Sequence, residues 1–387
     1  MKPRVTVAAT MTLLGFLAMP AGFAGQNADS AIISFEAPAA GAAAGQGTGC
    51  FGCTFAINQW GTIVGTYLDA NNVYHGFIRS PQGQYATIDA PSSCADTTPQ
   101  DYNGTLAQGI NDLGEITGIC VDQSGDAHGF VRSPQGVFTV FDALQPAVET
   151  WPLFINDEGA VVGFVYDGNN SLFRAFVRYP GGALAVFVGP GSCPLGFNET
   201  PACYGNEASK VTLLGASVGN FEDSNLVGHG MIRSPGGKFT RFDVPGAGTG
   251  NYQGTGCPGC NMGVNYFGMI AGSYTDTNNL WHGFLRNPDG KFVTFEATGA
   301  GTGAYQGTGC YSDCPMSLND SGEITGSYSD SNYVQHGFVR TPEGSFVTID
   351  PPGSVGTQPE SINDSDTITG YYVDANGVYH AFIRRGQ

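Results

Sequence analysis

Tyr74-His75-Gly76-Phe77-Ile78-Arg79 is the phrase on which the fold turns. It recurs as His128-Gly129-Phe130-Val131-Arg132, Arg174-Ala175-Phe176-Val177-Arg178 and His229-Gly230-Met231-Ile232-Arg233. With His282-Gly283-Phe284-Leu285-Arg286, His336-Gly337-Phe338-Val339-Arg340 and His380-Ala381-Phe382-Ile383-Arg384 there are seven copies. Upstream of each lies a second phrase, as in Ile110-Asn111-Asp112-Leu113-Gly114-Glu115-Ile116-Thr117-Gly118, whose last glycine recurs at 65, 118, 163, 219, 272, 326 and 370. From that glycine to the later Phe or Met the step is 12 residues in six copies and 13 in the third. A third phrase, such as Tyr85-Ala86-Thr87-Ile88-Asp89, follows. Such self-similarity means one supersecondary unit per repeat, stacked on its neighbours.

Each repeat reads as four short strands, A to D. Strand A ends at an Ile-Asn. An Asn-Asp-x-Gly turn leads into B, an Asp/Asn-rich turn into C, and a Ser-Pro-x-Gly turn into D. Alternating apolar residues between such turn residues indicate antiparallel sheet. The ends decide the architecture. The last repeat supplies A, B and C and then stops at Gln387. Ile32-Ile33-Ser34-Phe35-Glu36-Ala37-Pro38 reads as a strand D without predecessors, like Phe292-Val293-Thr294-Phe295-Glu296-Ala297. The expected fold is all-β: a seven-bladed β-propeller of four-stranded antiparallel blades, closed by the N-terminal strand completing the C-terminal blade. An open solenoid would want capping repeats instead.

These phrases resemble the bacterial extracellular HAF repeats, named for a His-Ala-Phe signature that His380-Ala381-Phe382 matches literally. The resemblance spans nearly the whole chain after the leader. It implies a propeller-like exported repeat protein and no particular activity.

Composition agrees with an all-β chain. Of 387 residues 59 are Gly and 22 Pro, while 41% are hydrophobic and only 12% charged. That pattern suits many tight turns around a packed core. The formal net charge of −18 argues against nucleic acid, because phosphate binding needs clustered cations. Lys2 and Arg4, an apolar run from Val5 to Met19, and Gly22-Phe23-Ala24 read as a signal peptide over 1–24, leaving residues 25–387 as one propeller domain. Losing Lys2 and Arg4 takes the charge from −18 to −20. No later stretch is long and apolar enough to insert in a membrane. The expected location is secreted or periplasmic.

An exported chain with ten Cys reads as disulfide-bonded, with zinc as the alternative for its CxxC spacings. Pairing nearest neighbours gives Cys50–Cys53, Cys94–Cys120, Cys193–Cys203, Cys257–Cys260 and Cys310–Cys314. All but Cys120 fall between the end of a D strand and the end of the next A strand. Five of those connections are long, which points to function on the end of the molecule bearing the D–A connections and B–C turns.

Candidate ligand-binding aromatics at that end are Trp281, Tyr74, Tyr252, Tyr305 and Trp151, placed to stack on sugar rings. Turn carboxylates Asp69, Asp276 and Asp330 are the candidate metal ligands, with Ca²⁺ as the ion and no other cofactor implied. No catalytic residue stands out. Gly215-Ala216-Ser217-Val218-Gly219 matches G-x-S-x-G, but it falls inside strand B where a nucleophile elbow has no place. All six His occupy one repeat position and read as structural, tying strands or turns together. The strand-C arginines are expected to pair with the repeated Asp of strand D. The function this supports is a binding or scaffold module, with a glycan or an extracellular protein as partner. The alternatives are a polysaccharide lyase or glycosidase using carboxylates of the loop-rich end, and a structural matrix protein.

Overall fold

The computed structural model describes residues 32–95, 103–144, 149–167, 172–193, 205–256, 260–309 and 315–386. The expected leader over 1–24 lies outside them. Every regular element among the described residues is a β-strand.

In repeats two, three, four and seven the strands pair antiparallel in the order read. In the second, Gly104–Ile110, Ile116–Val121, Ala127–Arg132 and Phe138–Phe141 pair antiparallel in chain order. Repeats three and four follow suit. In the seventh, Ser354–Ile362, Ile368–Asp374 and Tyr379–Arg384 are completed by Ile32–Phe35, with Ile32 opposite Arg384 and Phe35 opposite Ala381. The terminal strand therefore pairs where the split repeat requires it.

Strand A departs from the reading in repeats one, five and six. It is broken into two short pieces, Gly47–Thr48 with Ala56–Ile57, Gly254–Thr255 with Gly263–Val264, and Gly307–Thr308 with Ser317–Leu318. Each first piece already pairs with its strand B, as Gly47 does with Leu68. The Cys50–Cys53 segment is thus an excursion within the A strand, and the true D–A loop of the first repeat ends before it. Cys50 and Cys53 are buried against Leu106 and Ile119 of the next repeat, with Cα atoms 5.0 Å apart.

The recurring strand-B glycine has a steric cause. Strand A bulges where it faces that glycine. A Cβ at Gly118 would fall on the Leu106 carbonyl oxygen, and Gly163, Gly219 and Gly370 meet Trp151, Glu207 and Gln358 in the same way. The strand-C aromatics Phe77, Phe130, Phe176, Phe284, Phe338 and Phe382 are wholly buried between neighbouring sheets, each worth roughly 1.5–3 kcal/mol of apolar burial.

Successive repeats are joined by two devices. The start of one strand C pairs with the start of the next strand A, as Tyr74 with Gly104 and Trp281 with Gly307. The same pairing joins Tyr379 of the last repeat to Gly47 of the first. In addition, the side-chain amide of the A–B turn Asn donates to the corresponding carbonyl in the next repeat. The series runs Asn58 to Asn111, Asn111 to Asn156 and Asn156 to Thr212. It continues from Asn265 to Asn319 to Asn363 and returns to Asn58.

Candidate functional site

Antiparallel order puts the B–C turns and D–A connections at one end of the sheets and the A–B and C–D turns at the other. At the B–C end each turn among the described residues closes on its own Asp. Asp69 Oδ1 accepts from the Asn71 and Val73 backbone N–H at 2.8 and 2.9 Å, and Asp276, Asp330 and Asp374 repeat this. The second carboxylate oxygen faces the strand-C histidine: Asp69 Oδ2 lies 3.8 Å from His75 Nε2, and Asp276 and Asp330 sit 3.5 and 3.6 Å from His282 and His336. The other ring nitrogen meets the acid that ends strand D. His75 Nδ1 is 2.7 Å from Asp89, His128 2.7 Å from Asp142 and His336 2.8 Å from Asp350, while His282 meets Glu296. His380 closes on Glu36, at the other end of the chain. The rings of His75, His282, His336 and His380 stack on strand-B tyrosines.

The histidines are structural, as read, but their partners differ from those expected for that sheet. His, not Arg, takes the strand-D acid, except that Arg241 shares Asp243 with His229. The strand-C arginines lie instead on the strand-D aromatic of the preceding repeat: Arg79 over Phe35, Arg178 over Phe141, Arg233 over Phe187, Arg286 over Phe242 and Arg340 over Phe295, at 4.6–5.2 Å. The hydrogen bond from Asp89 raises the His75 pKa above its ordinary value, and Glu296 and Asp350 do the same for His282 and His336. At His128 burial opposes the rise, yet Asp142 and Asp122 prevail. Burial likewise pushes the Asp69 and Asp276 carboxyls up, but the turn N–H groups hold both below the usual range. Asp69, Asp276 and Asp330 therefore each have both oxygens engaged. Among the described residues no three metal-ligating side chains converge.

The candidate aromatics divide into two groups. Trp281 is buried and Tyr74 and Trp151 are half-buried, the latter two packed against the Cys50–Cys53 bridge. Tyr252 and Tyr305 are exposed and occupy equivalent places in the loops 248–256 and 301–309, where the first repeat has Gly45. Their backbones are left-handed, at φ 61° and 60°, as is Gly45 at 82°. Each loop is rigidly held. Tyr305 N–H donates to the Asn279 carbonyl of the preceding B–C turn, and Gln306 Oε1 accepts from Gly303 N–H while its amide reaches Ser331 O at 3.1 Å. Gln253 ties the Tyr252 loop to Thr277 and Asn279 in the same manner. Two residues beyond Ser331 stands Tyr333, also left-handed at φ 64° and 64% exposed. Sequence reading missed Tyr333. The clue was available, since its turn position is filled by Asn72, Gly125, Asn279 and Gly377 elsewhere and by a buried Leu226 in the fourth repeat.

Ser217 is buried within strand B, opposite Arg233. The bridges Cys50–Cys53 and Cys94–Cys120 are formed, the latter with Cα atoms 5.7 Å apart. Cys193 and Cys260 are disulfide-bonded, and their expected partners Cys203 and Cys257, like Cys310 and Cys314, lie outside the described residues. No described helix is long and apolar enough to cross a membrane.

The other end of the molecule holds two features that turn composition alone did not indicate. A cleft of about 260 Å³ opens between repeats two and three, lined by Glu115, Glu158, Arg178, Ser133 and Thr139. Between repeats six and seven, Glu323 lies beside Asp366, a left-handed Asp at φ 56° where six repeats have Gly. Burial and the Asp366 carboxyl push the Glu323 pKa up to about 7.

No protein-family model matches the chain, and no curated protein does. Solved structures do. BP39L lectin from Burkholderia pseudomallei is similar with a TM-score of 0.50 at 9% identity, over 85% of this chain and 94% of the lectin. AofleA from Arthrobotrys oligospora reaches 0.47 at 11% identity, over 83% and 90%. A lectin from Aleuria aurantia, described as a six-bladed β-propeller with a novel fucose recognition mode, reaches 0.44 at 8%, over 80% and 99%. At such identities the likeness bears on the fold.

Proposed function

We propose that this chain is an exported, seven-bladed β-propeller of the HAF-repeat type that binds neutral glycans through tyrosine platforms on its B–C end. Three observations support the propeller reading: the chain-order pairing of A to D, the completion of the last sheet by Ile32–Phe35, and the two inter-repeat devices that return from repeat seven to repeat one. The fold likeness to a bacterial lectin agrees with it. The intact Cys94–Cys120 bridge suits the export implied by a leader over 1–24.

The binding reading rests on Tyr252, Tyr305 and Tyr333. A bulky residue in left-handed backbone costs about 1–2 kcal/mol relative to Gly. All three are exposed, at 42%, 52% and 64%, so much of each ring is left facing solvent. Rigid exposed rings held by a hydrogen-bonded frame are what stacking on a sugar face needs. The acidic surroundings turn away polyanions and leave neutral sugars as the substrate class. Binding of the mature protein to immobilised neutral glycans, with Tyr252→Ala/Tyr305→Ala alongside, tests this. Retention of wild-type binding by that variant, or binding to no glycan at all, overturns the reading.

A further inference from the structure

The A–B turns of repeats four and five break the rule that the other turns keep. Elsewhere an Asn amide and, in most turns, an Asp carboxylate stitch each turn to its neighbour: Asp112 Oδ1 accepts from Gln59 N–H, Asp157 from Asp112 N–H, and Asp364 from Asp320 N–H, each at 2.8 Å. The fourth turn has Thr212, which has no amide to donate, and the fifth has Tyr266, which has no carboxylate to accept. Apolar side chains stand at this junction instead. Leu214 is 86% exposed and Phe267 61%, with Leu213 and Tyr266 exposed beside them. The Tyr266 and Phe267 rings meet edge to face at 5.6 Å. Trp60 and Leu113, on the first two turns, are also exposed at the same end.

Charge identifies the occupant. The seven arginines that end the C strands, with Lys238, Lys291 and Arg385, all lie at this end and are matched there by ten carboxylates. Of the remaining described cations, Lys210 is half-buried over the Phe154 ring and Arg174 and Arg241 lie toward the opposite end, which carries most of the acids. A molecule of formal charge −18 can therefore approach its own copy without strong repulsion only through the A–B end, with both acidic ends pointing outward.

We infer that Leu213, Leu214, Tyr266 and Phe267 form the centre of a self-association surface, on which a second copy of this chain docks A–B end to A–B end about a two-fold axis. Such an isologous contact lets the same patch serve both copies. Aromatic and aliphatic anchors at its centre supply the apolar burial, and the matched charges form its rim. The inference is independent of sugar binding at the opposite end.

Sedimentation velocity of the mature protein over the micromolar range tests it. The expected result is a concentration-dependent dimer, favoured by added salt because screening weakens the residual repulsion between two anionic molecules. Leu214→Glu/Phe267→Glu should weaken association roughly tenfold or more, while Tyr305→Glu at the opposite end should not change it. Leu214→Ser/Phe267→Ser, compared at equal melting temperature, serves if the charged variant folds poorly. A monomer at every concentration, or a dimer that survives both double variants, overturns the proposal. Flotation of monomeric protein with phosphatidylcholine vesicles would also overturn it, by assigning the patch to a lipid surface.

Discussion

The side-chain amide of Asn363 donates to the backbone carbonyl of Asn58 at 3.0 Å, across 305 residues of chain. The same Asn363 caps its own turn, accepting from the Ser365 and Thr367 N–H groups. One buried residue therefore builds the last A–B turn and fastens it to the first.

Asn363→Ala removes the donor to the buried Asn58 carbonyl and leaves the part-buried turn N–H groups of Ser365 and Thr367 without their acceptor. The expected loss is about 2–4 kcal/mol, read from denaturant unfolding. Asn363→Asp keeps the acceptor and loses only the link, so it should cost less. Thr212→Asn supplies the missing donor at the fourth turn and should gain up to about 1 kcal/mol. No gain there would mean that the amide series is incidental to stability.

Tyr305→Gly separates strain from binding. Gly45 already occupies the equivalent left-handed position in repeat one. The substitution should raise the melting temperature, by the equivalent of about 1 kcal/mol, while reducing glycan binding. A fall in stability would show that the tyrosine is held by packing.

The histidine–carboxylate clusters set a pH window. His75, His128, His282 and His336 have raised pKa values, so the stability they contribute is complete below the unfolded value of 6.5 and is lost as pH rises through the folded values. Asp69, Asp223, Asp276 and Asp374 have lowered values, so theirs is complete above the unfolded 3.8 and is lost on acidification through the folded values. Melting temperature should therefore peak between those unfolded values. His336→Gln should flatten the alkaline limb in a scan of melting temperature against pH.

Glu323 adds to that alkaline loss. Its pKa rises from 4.5 to about 7, so the folded state binds the extra proton and stability declines as pH climbs between the two. Asp366→Gly removes the neighbouring carboxyl and restores the residue that six other turns use at this left-handed position. The variant should be more stable than wild type at and above neutral pH, with the difference growing between pH 4.5 and about 7 and level beyond.

The two fully described bridges should differ in worth. Cys94–Cys120 closes a separation of 26 residues and Cys50–Cys53 one of three. On the chain-entropy account the first contributes about 3.5 kcal/mol and the second about 2. Paired Cys→Ala variants, unfolded in urea, should preserve that order.

The sequence by itself determined the seven repeats, their four strands and the partnership of the termini. The reason is that strand period, turn chemistry and the strand-B glycine all act locally, and each copy repeats them. It also marked Tyr252 and Tyr305, because the segments 248–257 and 301–310 are close copies that carry them at the same place. What only the tertiary structure decided is what each repeat does to the next. Whether His75 or Arg79 takes Asp89 depends on register, since both lie on one face of strand C but Asp89 ends strand D beside His75 while Arg79 stands opposite Tyr85, and on the neighbouring sheet that supplies Phe35 beneath the guanidinium. The Cys50–Cys53 segment reads as loop, yet Gly47–Thr48 begins strand A before it, because Gly47 pairs with Leu68 of strand B and the bridge packs on the following repeat. Leu214 and Phe267 occupy the same A–B turn position in their repeats. Their meaning comes from adjacency, since Thr212 and Tyr266 leave one junction without its polar stitch and an apolar patch stands in its place.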